Sequence, residues 1–130
     1  MNTKSLQQEI GLKAGPHVIY EMLLDSDKHS QFTGAKAEIN REIGGSVSAY
    51  DGMIQAVNEE LHHNARIVQT WRGSDWPEGH FSTVTFEIFP TDDGCKLIFS
   101  QTGIPEDKYD MVAAGWKEHY WDKMRKMIEE

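Results

Sequence analysis

The sequence predicts an α+β fold in which a curved antiparallel sheet of about six or seven strands wraps around one long C-terminal helix, with two short helices after the first strand. Three observations support this prediction. The last quarter of the chain repeats apolar residues at helical spacing, the segments before it mostly alternate polar and apolar residues, and short turns separate those segments. Parallel neighbours need crossover connections of a dozen or more residues, so the short turns indicate an antiparallel sheet.

The C-terminal helix is predicted within the stretch from Gly103 to Met127. Pro105 suits its first turn, and Lys123 and Arg125 complement the negative end of the helix dipole. At about 1.5 Å per residue the helix should run roughly 30 to 35 Å, so it needs a large apolar surface to pack against. Its apolar stripe consists of Tyr109, Val112, Ala113, Trp116, Tyr120, Met124 and Met127.

Two short helices are predicted to follow the first strand. Apolar residues at mostly even positions indicate a half-buried strand from Leu6 to Ala14, which Gly15-Pro16 ends. Because proline suits the first position of a helix, we predict a helix from Pro16 to Leu24. A second helix is predicted from Asp27 to Phe32, with Ser26 as its N-cap.

Six more strands are predicted between these helices and the C-terminal helix. Asp51-Gly52 indicates a two-residue hairpin turn, because both central positions of the favoured turn need a positive φ. The run from Ile54 to Leu61 alternates poorly, which is typical of an edge strand or a bulge. The predicted strands are Ala35–Arg41, Ser46–Tyr50, Ile54–Leu61, a strand through Ile67, Val68 and Trp71 that ends near Arg72, Phe81–Phe89 and Lys96–Thr102.

Length and charge limit the classes of function. A chain of 130 residues is expected to form one domain, residues 1–130. With 21 acidic and 13 basic residues its net charge is −8, which argues against nucleic acid and against an anionic membrane as partners. The first residues contain no apolar run typical of a signal peptide, so we expect a cytoplasmic protein. Cys95 is alone and is predicted to be a small buried residue.

Three separated segments resemble a known family: Trp71 to Phe86, Gly103-Ile104-Pro105, and Gly115 to Trp121. From about Ala14 to Met127 the chain resembles the C-terminal domain of the activator of the 90-kDa heat-shock protein ATPase. The resemblance implies the helix-grip fold of the START-related, birch-pollen-allergen-like superfamily, in which sheet and helix often enclose an apolar cavity. It does not extend to the separate N-terminal domain that does much of the stimulating in the eukaryotic activator.

No catalytic or metal-binding motif stands out, so we predict no catalytic residue, no metal site and no cofactor. His62 and His63 are adjacent, and neighbouring side chains of a strand point to opposite faces, so joint metal binding is not expected. The aromatic residues admit two interpretations, a solid core or the lining of a ligand cavity. The candidate lining residues are Phe32, Trp71, Phe86, Trp116 and Tyr120.

Trp76 and Pro77 lie in a turn-rich loop and are candidates for binding a partner protein. Trp76 could be an exposed anchor, or it could fold back on the domain as a lid.

These observations support three hypotheses of function. The first is a module that binds an apolar or aromatic small molecule between sheet and helix. The second is a cochaperone-like module that binds a chaperone through the Trp76 loop. The third is an enzyme of the superfamily, such as a cyclase, which the absence of a convergent acid and base disfavours.

Overall fold

Seven strands form one antiparallel sheet in the computed structural model, which describes residues 2–129. Their order across the sheet is β1-β7-β6-β5-β4-β3-β2, so the first and last strands of the chain are neighbours. The predicted α+β fold with a curved antiparallel sheet is confirmed. The strands are β1 Thr3–Leu12, β2 Glu38–Ile39, β3 Ser46–Ala49, β4 Ile54–His62, β5 Arg66–Gly73, β6 Ser82–Thr91 and β7 Gly94–Pro105.

Two short helices follow β1, as predicted. Helix α1 is Pro16–Leu24 and helix α2 is Ser26–Thr33. The predicted N-cap of α2 is wrong by one residue, because the Asp25 carboxylate accepts the Lys28 N–H at 3.0 Å. The Ser26 hydroxyl instead accepts the backbone N–H of Ile39, at 2.8 Å, and so ties α2 to β2.

A long helix ends the chain, and it is not uniform. The C-terminal helix consists of a 3₁₀ turn at Glu106–Lys108, an α-helical segment at Tyr109–Trp116, a π-helical turn at Lys117–Trp121 and a second α-helical segment at Asp122–Glu129. In the π-helical turn the N–H of Asp122 bonds to the carbonyl of Lys117, five residues earlier. The predicted helix is therefore confirmed, but its π-helical turn was not predicted.

The π-helical turn changes which aromatic residues face the sheet. Trp121 lies outside the predicted apolar stripe, yet it is only 3% exposed, as is Trp116. Their rings stack with centroids 5.5 Å apart and planes 19° apart. The wider turn allows residues five apart to share a face, so both tryptophans pack against the sheet.

Two predicted local features differ from the structure. The turn between β3 and β4 contains four residues, Tyr50–Met53, rather than two. Tyr50 also has a positive φ of 51°, and its hydroxyl donates to the His119 carbonyl at 2.6 Å, which holds the residue against the C-terminal helix. Of the predicted strand 35–41, only Glu38–Ile39 forms a strand. The carbonyl of the next residue, Asn40, accepts a hydrogen bond from the Asn58 side-chain amide instead of pairing with a strand.

The irregularity predicted in β4 is confirmed. The pairing of β4 with β5 shifts register between Asn58 and Glu60, which marks a bulge. Asn58 is fully buried there, and its amide donates to the carbonyls of Asn40 and Glu42, at 2.9 and 3.3 Å. The bulge therefore turns a polar side chain inward to hold the irregular segment before β3.

The core lies between the sheet and the helices. Inward-facing side chains of the central strands, such as Ile67, Val84 and Phe99, are fully buried. Cys95 is buried as predicted, and burial raises the pKa of its thiol. Among residues 2–129, none of the helices is both long and apolar enough to span a membrane.

Candidate functional site

An open cleft of about 340 Å³ lies where the C-terminal helix meets one end of the sheet. Three elements surround it: the turn Tyr50–Met53, the loop of residues 74–81 between β5 and β6, here called the lid loop, and the first half of the C-terminal helix. Its lining residues are Tyr50, Met53, Ile54, Trp71, Gly73, Asp75, Trp76, Lys108, Met111, Val112, Gly115, Trp116, His119 and Tyr120.

Trp76 closes one side of the cleft. Its side chain is only 6% exposed, and its ring meets the ring of Trp71 edge-on with centroids 5.4 Å apart. Arg72 holds the loop by donating to the carbonyl of Trp76 at 2.8 Å. A Cβ on Gly73 would lie 3.0 Å from the Trp76 indole nitrogen, so glycine gives the indole its space. Trp76 therefore has the position of a lid, and the interpretation as an exposed anchor is wrong, whereas Pro77 is exposed.

Three of the five candidate lining residues meet at the cleft. Trp71, Trp116 and Tyr120 all contribute to its wall. Phe86 does not reach it, because its ring lies beneath Trp116, at 5.9 Å between centroids. Phe32 is also absent from the wall, since α2 places its ring behind Tyr120 and against His29, with centroid distances of 5.7 and 4.9 Å.

The mouth of the cleft contains two methionines that the sequence analysis missed. Met53, on the turn Tyr50–Met53, is 64% exposed, and Met111, on the C-terminal helix, is 66% exposed. The signal at Met111 was an apolar residue outside the apolar stripe of a predicted amphipathic helix. Methionine is flexible and polarisable, so the two side chains can adapt to the shape of a bound molecule.

The charged groups of the cleft lie at its rim. Lys108 Nζ lies 3.1 Å from the Asp75 carboxylate and so connects the start of the C-terminal helix to the lid loop. The Lys108 side chain is 22% exposed and that of Asp75 is 60% exposed, so solvent reaches this ion pair through Asp75 and the pair contributes about 1 kcal/mol or less. The apolar wall therefore ends in a rim whose formal charges balance.

Both tyrosines of the cleft remain protonated. Burial raises the pKa of Tyr50 to about 12, and it raises the pKa of Tyr120 further. Each hydroxyl therefore keeps its proton near neutral pH. Tyr50 donates to the His119 carbonyl at 2.6 Å, and the Tyr120 hydroxyl lies 3.0 Å from His29 Nε2.

No metal centre accompanies the cleft in the described chain. Among residues 2–129, no three His, Cys, Asp or Glu side chains are close enough together to hold a metal ion. His62 lies 3.7 Å from Glu60, while His63 packs against the ring of Tyr20, with centroids 5.5 Å apart. The two histidines therefore have separate surroundings.

The fold and its sequence match one protein family. The family model described as "Activator of Hsp90 ATPase homolog 1-like protein" matches residues 13–129. The "Activator of 90 kDa heat shock protein ATPase homolog" of Dictyostelium discoideum is 34% identical over 128 residues, which cover 95% of this chain and 32% of that protein. The human "Activator of 90 kDa heat shock protein ATPase homolog 1" is 27% identical over 110 residues, which cover 85% of this chain and 32% of the human protein.

A solved structure supports the same assignment of fold. An HSP90 activator from Plasmodium falciparum superposes with a TM-score of 0.86 at 24% identity, covering 98% of this chain and 96% of that one. The chain spans about a third of the length of the two curated relatives. The match extends over nearly the whole chain, and the predicted resemblance is confirmed. The chain belongs to the family of Activator of Hsp90 ATPase homolog 1-like proteins.

Proposed function

We propose that this protein binds a small apolar or aromatic molecule in the cleft beneath the lid loop. The observation that carries the proposal is the cleft itself, about 340 Å³ of space whose wall contains the rings of Trp71, Trp76 and Trp116. Ligand pockets generally occupy about 300 to 1,000 Å³ and have mostly apolar linings with a few polar groups. The cleft falls within this range, at its lower end.

The exposed methionines provide a hydrophobic driving force for binding such a ligand. Met53 and Met111 leave apolar surface in water at the mouth of the cleft. A bound apolar molecule removes this surface from water, and each 100 Å² of apolar area buried is worth about 2.5 kcal/mol before the cost of association. Because Lys108 and Asp75 neutralise each other at the rim, the cleft favours an uncharged molecule.

The test uses N-phenyl-1-naphthylamine, an uncharged dye whose fluorescence rises in apolar surroundings. We expect saturable binding of one dye per chain. At 100 times its dissociation constant the dye should stabilise the fold by about 2.7 kcal/mol. With an entropy of unfolding of about 270 cal/mol/K for 130 residues, this corresponds to a rise in Tm of about 10 °C.

Two variants locate the binding. Met111→Glu places a charge at the mouth of the cleft and should weaken dye binding at least tenfold. Phe89→Glu makes a similar change at an exposed apolar residue outside the cleft lining, since Phe89 is 45% exposed, and it should leave binding unchanged. Absence of saturable binding, or equal loss in both variants, would show that the cleft is not a ligand site.

A second candidate function is cochaperone-like binding of a 90-kDa heat-shock protein. Family membership favours it, since the Dictyostelium relative is named an activator of that ATPase. Within the lid loop Pro77 is the exposed candidate, because Trp76 is buried. The test is the ATPase rate of the purified 90-kDa chaperone from the same organism, with and without this protein.

This second candidate predicts a higher ATPase rate with the protein and a smaller rise with Pro77→Ala. A matched control is Pro90→Ala, a change at an exposed proline near the far end of β6. An unchanged ATPase rate, together with no direct binding of the two purified proteins by calorimetry, would refute the cochaperone function and leave the ligand-binding proposal intact.

A further inference from the structure

A second, smaller space lies deeper than the cleft. This inner void, about 20 Å³, has room for roughly one small polar atom group such as a water molecule or a hydroxyl. Three polar side chains line it, whereas the wall of the cleft is mainly apolar. Those three residues are His29, Gln69 and Tyr120, and the four residues that line both spaces are Ile54, Trp71, Trp116 and Tyr120.

The hydrogen bonds of His29 fix the direction in which Tyr120 donates. His29 Nδ1 lies 3.3 Å from the Leu23 carbonyl, which can only accept, so Nδ1 carries the proton. Burial lowers the pKa of His29 to about 4, so the ring is neutral at neutral pH and Nε2 is an acceptor. The Tyr120 hydroxyl therefore donates to Nε2, at 3.0 Å, and its oxygen keeps lone pairs that can accept.

The orientation of Gln69 follows from its neighbour. Asn58 Nδ2 donates to two backbone carbonyls, which leaves Asn58 Oδ1 as an acceptor. Gln69 must then donate from its amide nitrogen to Asn58 Oδ1, at 3.0 Å. The carbonyl oxygen of the same side chain takes no part in that hydrogen bond. Among the hydrogen bonds of residues 2–129, none is donated to this carbonyl oxygen or to the Tyr120 hydroxyl oxygen. The inner void is thus lined by two groups with unused acceptors.

The chemistry of the void selects a donor without charge. Tyr120 and Gln69 both offer lone pairs that can accept, so a group that donates a hydrogen bond to either of them fits the void. An ionised ammonium group is disfavoured, because no carboxylate is among the residues that line the void to compensate its loss of solvation. A carboxylate is disfavoured more strongly, since it offers only further acceptors. A hydroxyl group donates a hydrogen bond and carries no charge, so it fits the void.

The four shared residues place this void directly behind the wall of the cleft. A change of the Trp71 side-chain rotamer would join the two spaces and leave the Tyr120 hydroxyl in place. Tyr120 belongs to the π-helical turn, a local irregularity that frequently occurs at functional sites. An aromatic molecule in the cleft could then extend one substituent to the inner void.

We propose that the ligand of the cleft is an uncharged aromatic molecule with a hydroxyl group at one end, a phenol in the simplest case. Its hydroxyl enters the inner void and donates to the Tyr120 hydroxyl oxygen or to the Gln69 carbonyl oxygen, while its ring lies among the tryptophans of the cleft. This inference rests on the proposed function, because it names the class of molecule that the same site binds.

The experiment compares three probes of nearly equal shape by calorimetry at pH 7: 2-naphthol, 2-methylnaphthalene and 2-naphthoate. We expect 2-naphthol to bind about tenfold more tightly than 2-methylnaphthalene, which is the difference that one buried hydrogen bond produces. The charged 2-naphthoate should bind more weakly than either. This comparison uses the unaltered protein and so does not depend on the folding of any variant.

Variants test the two acceptors. In the double variant Tyr120→Phe/Gln69→Leu the preference for 2-naphthol should vanish, while 2-methylnaphthalene should still bind. Tyr20→Phe is the matched control, because it removes the hydroxyl of a buried tyrosine of α1 outside both spaces, and it should keep the full preference. Circular dichroism and melting temperature establish that each variant is folded.

The outcomes separate this inference from the proposed function. Equal affinity for 2-naphthol and 2-methylnaphthalene overturns the hydroxyl site and leaves the apolar cleft standing. Tighter binding of 2-naphthoate likewise overturns it. Persistence of the tenfold preference in a folded double variant also overturns the inference, because groups other than Tyr120 and Gln69 then bind the hydroxyl. If the dye and all three probes fail to bind, the proposed function itself is refuted.

Discussion

The indole of Trp116 provides a quantitative test of how the C-terminal helix is held on the sheet. Its Nε1 donates to Gln101 Oε1 at 2.8 Å, and Gln101 in turn donates to the Ser82 hydroxyl at 2.9 Å. Trp116 is 3% exposed and Gln101 is fully buried. Trp116→Phe removes the donor and leaves the Gln101 oxygen without a partner, inside the core.

The expected magnitude has two parts. Loss of apolar contacts and the cavity left by the smaller ring should cost about 1 to 2 kcal/mol. An unsatisfied buried acceptor costs a further 1 to 3 kcal/mol, roughly. We therefore expect Trp116→Phe to reduce the free energy of unfolding by about 3 kcal/mol, which for 130 residues lowers Tm by about 11 °C.

The assay is urea unfolding of four proteins: the parent, Trp116→Phe, Gln101→Leu and the double variant. In the Gln101→Leu background the indole N–H already lacks its partner, so Trp116→Phe should cost about 1 kcal/mol or less there. The coupling energy between the two sites is then about 2 kcal/mol. If Trp116→Phe costs the same in both backgrounds, within about 0.5 kcal/mol, the hydrogen bond does not hold the helix in the way argued.

Trp121→Phe is a matched control for this experiment. Trp121 is as buried as Trp116, and its Nε1 donates to Gln8 Oε1 at 2.7 Å. Gln8 is only half-buried, so water can reach its oxygen when the indole is lost. We expect this variant to lose about 1 to 2 kcal/mol, chiefly from apolar contacts.

Two further predictions concern stability. The pKa of His29 is about 4 in the folded protein, below its ordinary value of 6.5, so the unfolded chain takes up the proton first and stability falls as pH drops from about 6.5 to 4, by roughly 3 kcal/mol. His29→Gln should lack this part of the pH dependence in urea unfolding, and a constant difference between parent and variant from pH 7 to 4 would contradict it. Gly94 has a φ of 152°, and a Cβ there would lie 2.3 Å from the Leu12 carbonyl oxygen, so Gly94→Ala should cost about 3 kcal/mol or more. Gly11→Ala, with nothing within 4 Å of its Cβ, should change stability by about 0.5 kcal/mol or less, and similar losses in both variants would refute the steric argument.

The order of the elements could be predicted from the sequence, and so could the bounds of most of them to within a few residues. Helix α1 begins and ends at the predicted residues, because a proline at its first position and a local apolar face are both visible in the sequence. Alternation and turn residues placed the strands, and the poor alternation in β4 marked a bulge that the structure contains. These features depend on residues close together in the chain.

Contacts between distant parts of the chain set local features that the sequence pattern does not show. The turn Tyr50–Met53 is longer than its Asp51-Gly52 signal because Tyr50 bonds to a carbonyl 69 residues away. The π-helical turn rotates Trp121 into the core, and a regular helical period cannot foresee one inserted residue.

The same limit applies to the candidate site. Trp71, Trp116 and Tyr120 could be predicted as lining because they are aromatic and lie on inward faces, but Phe32 and Phe86 have the same character and pack behind them. Met53 and Met111 line the mouth because the fold brings their two elements together. Which side of an aromatic cluster remains open depends on distances between elements far apart in the chain, and residue type and spacing do not encode those distances.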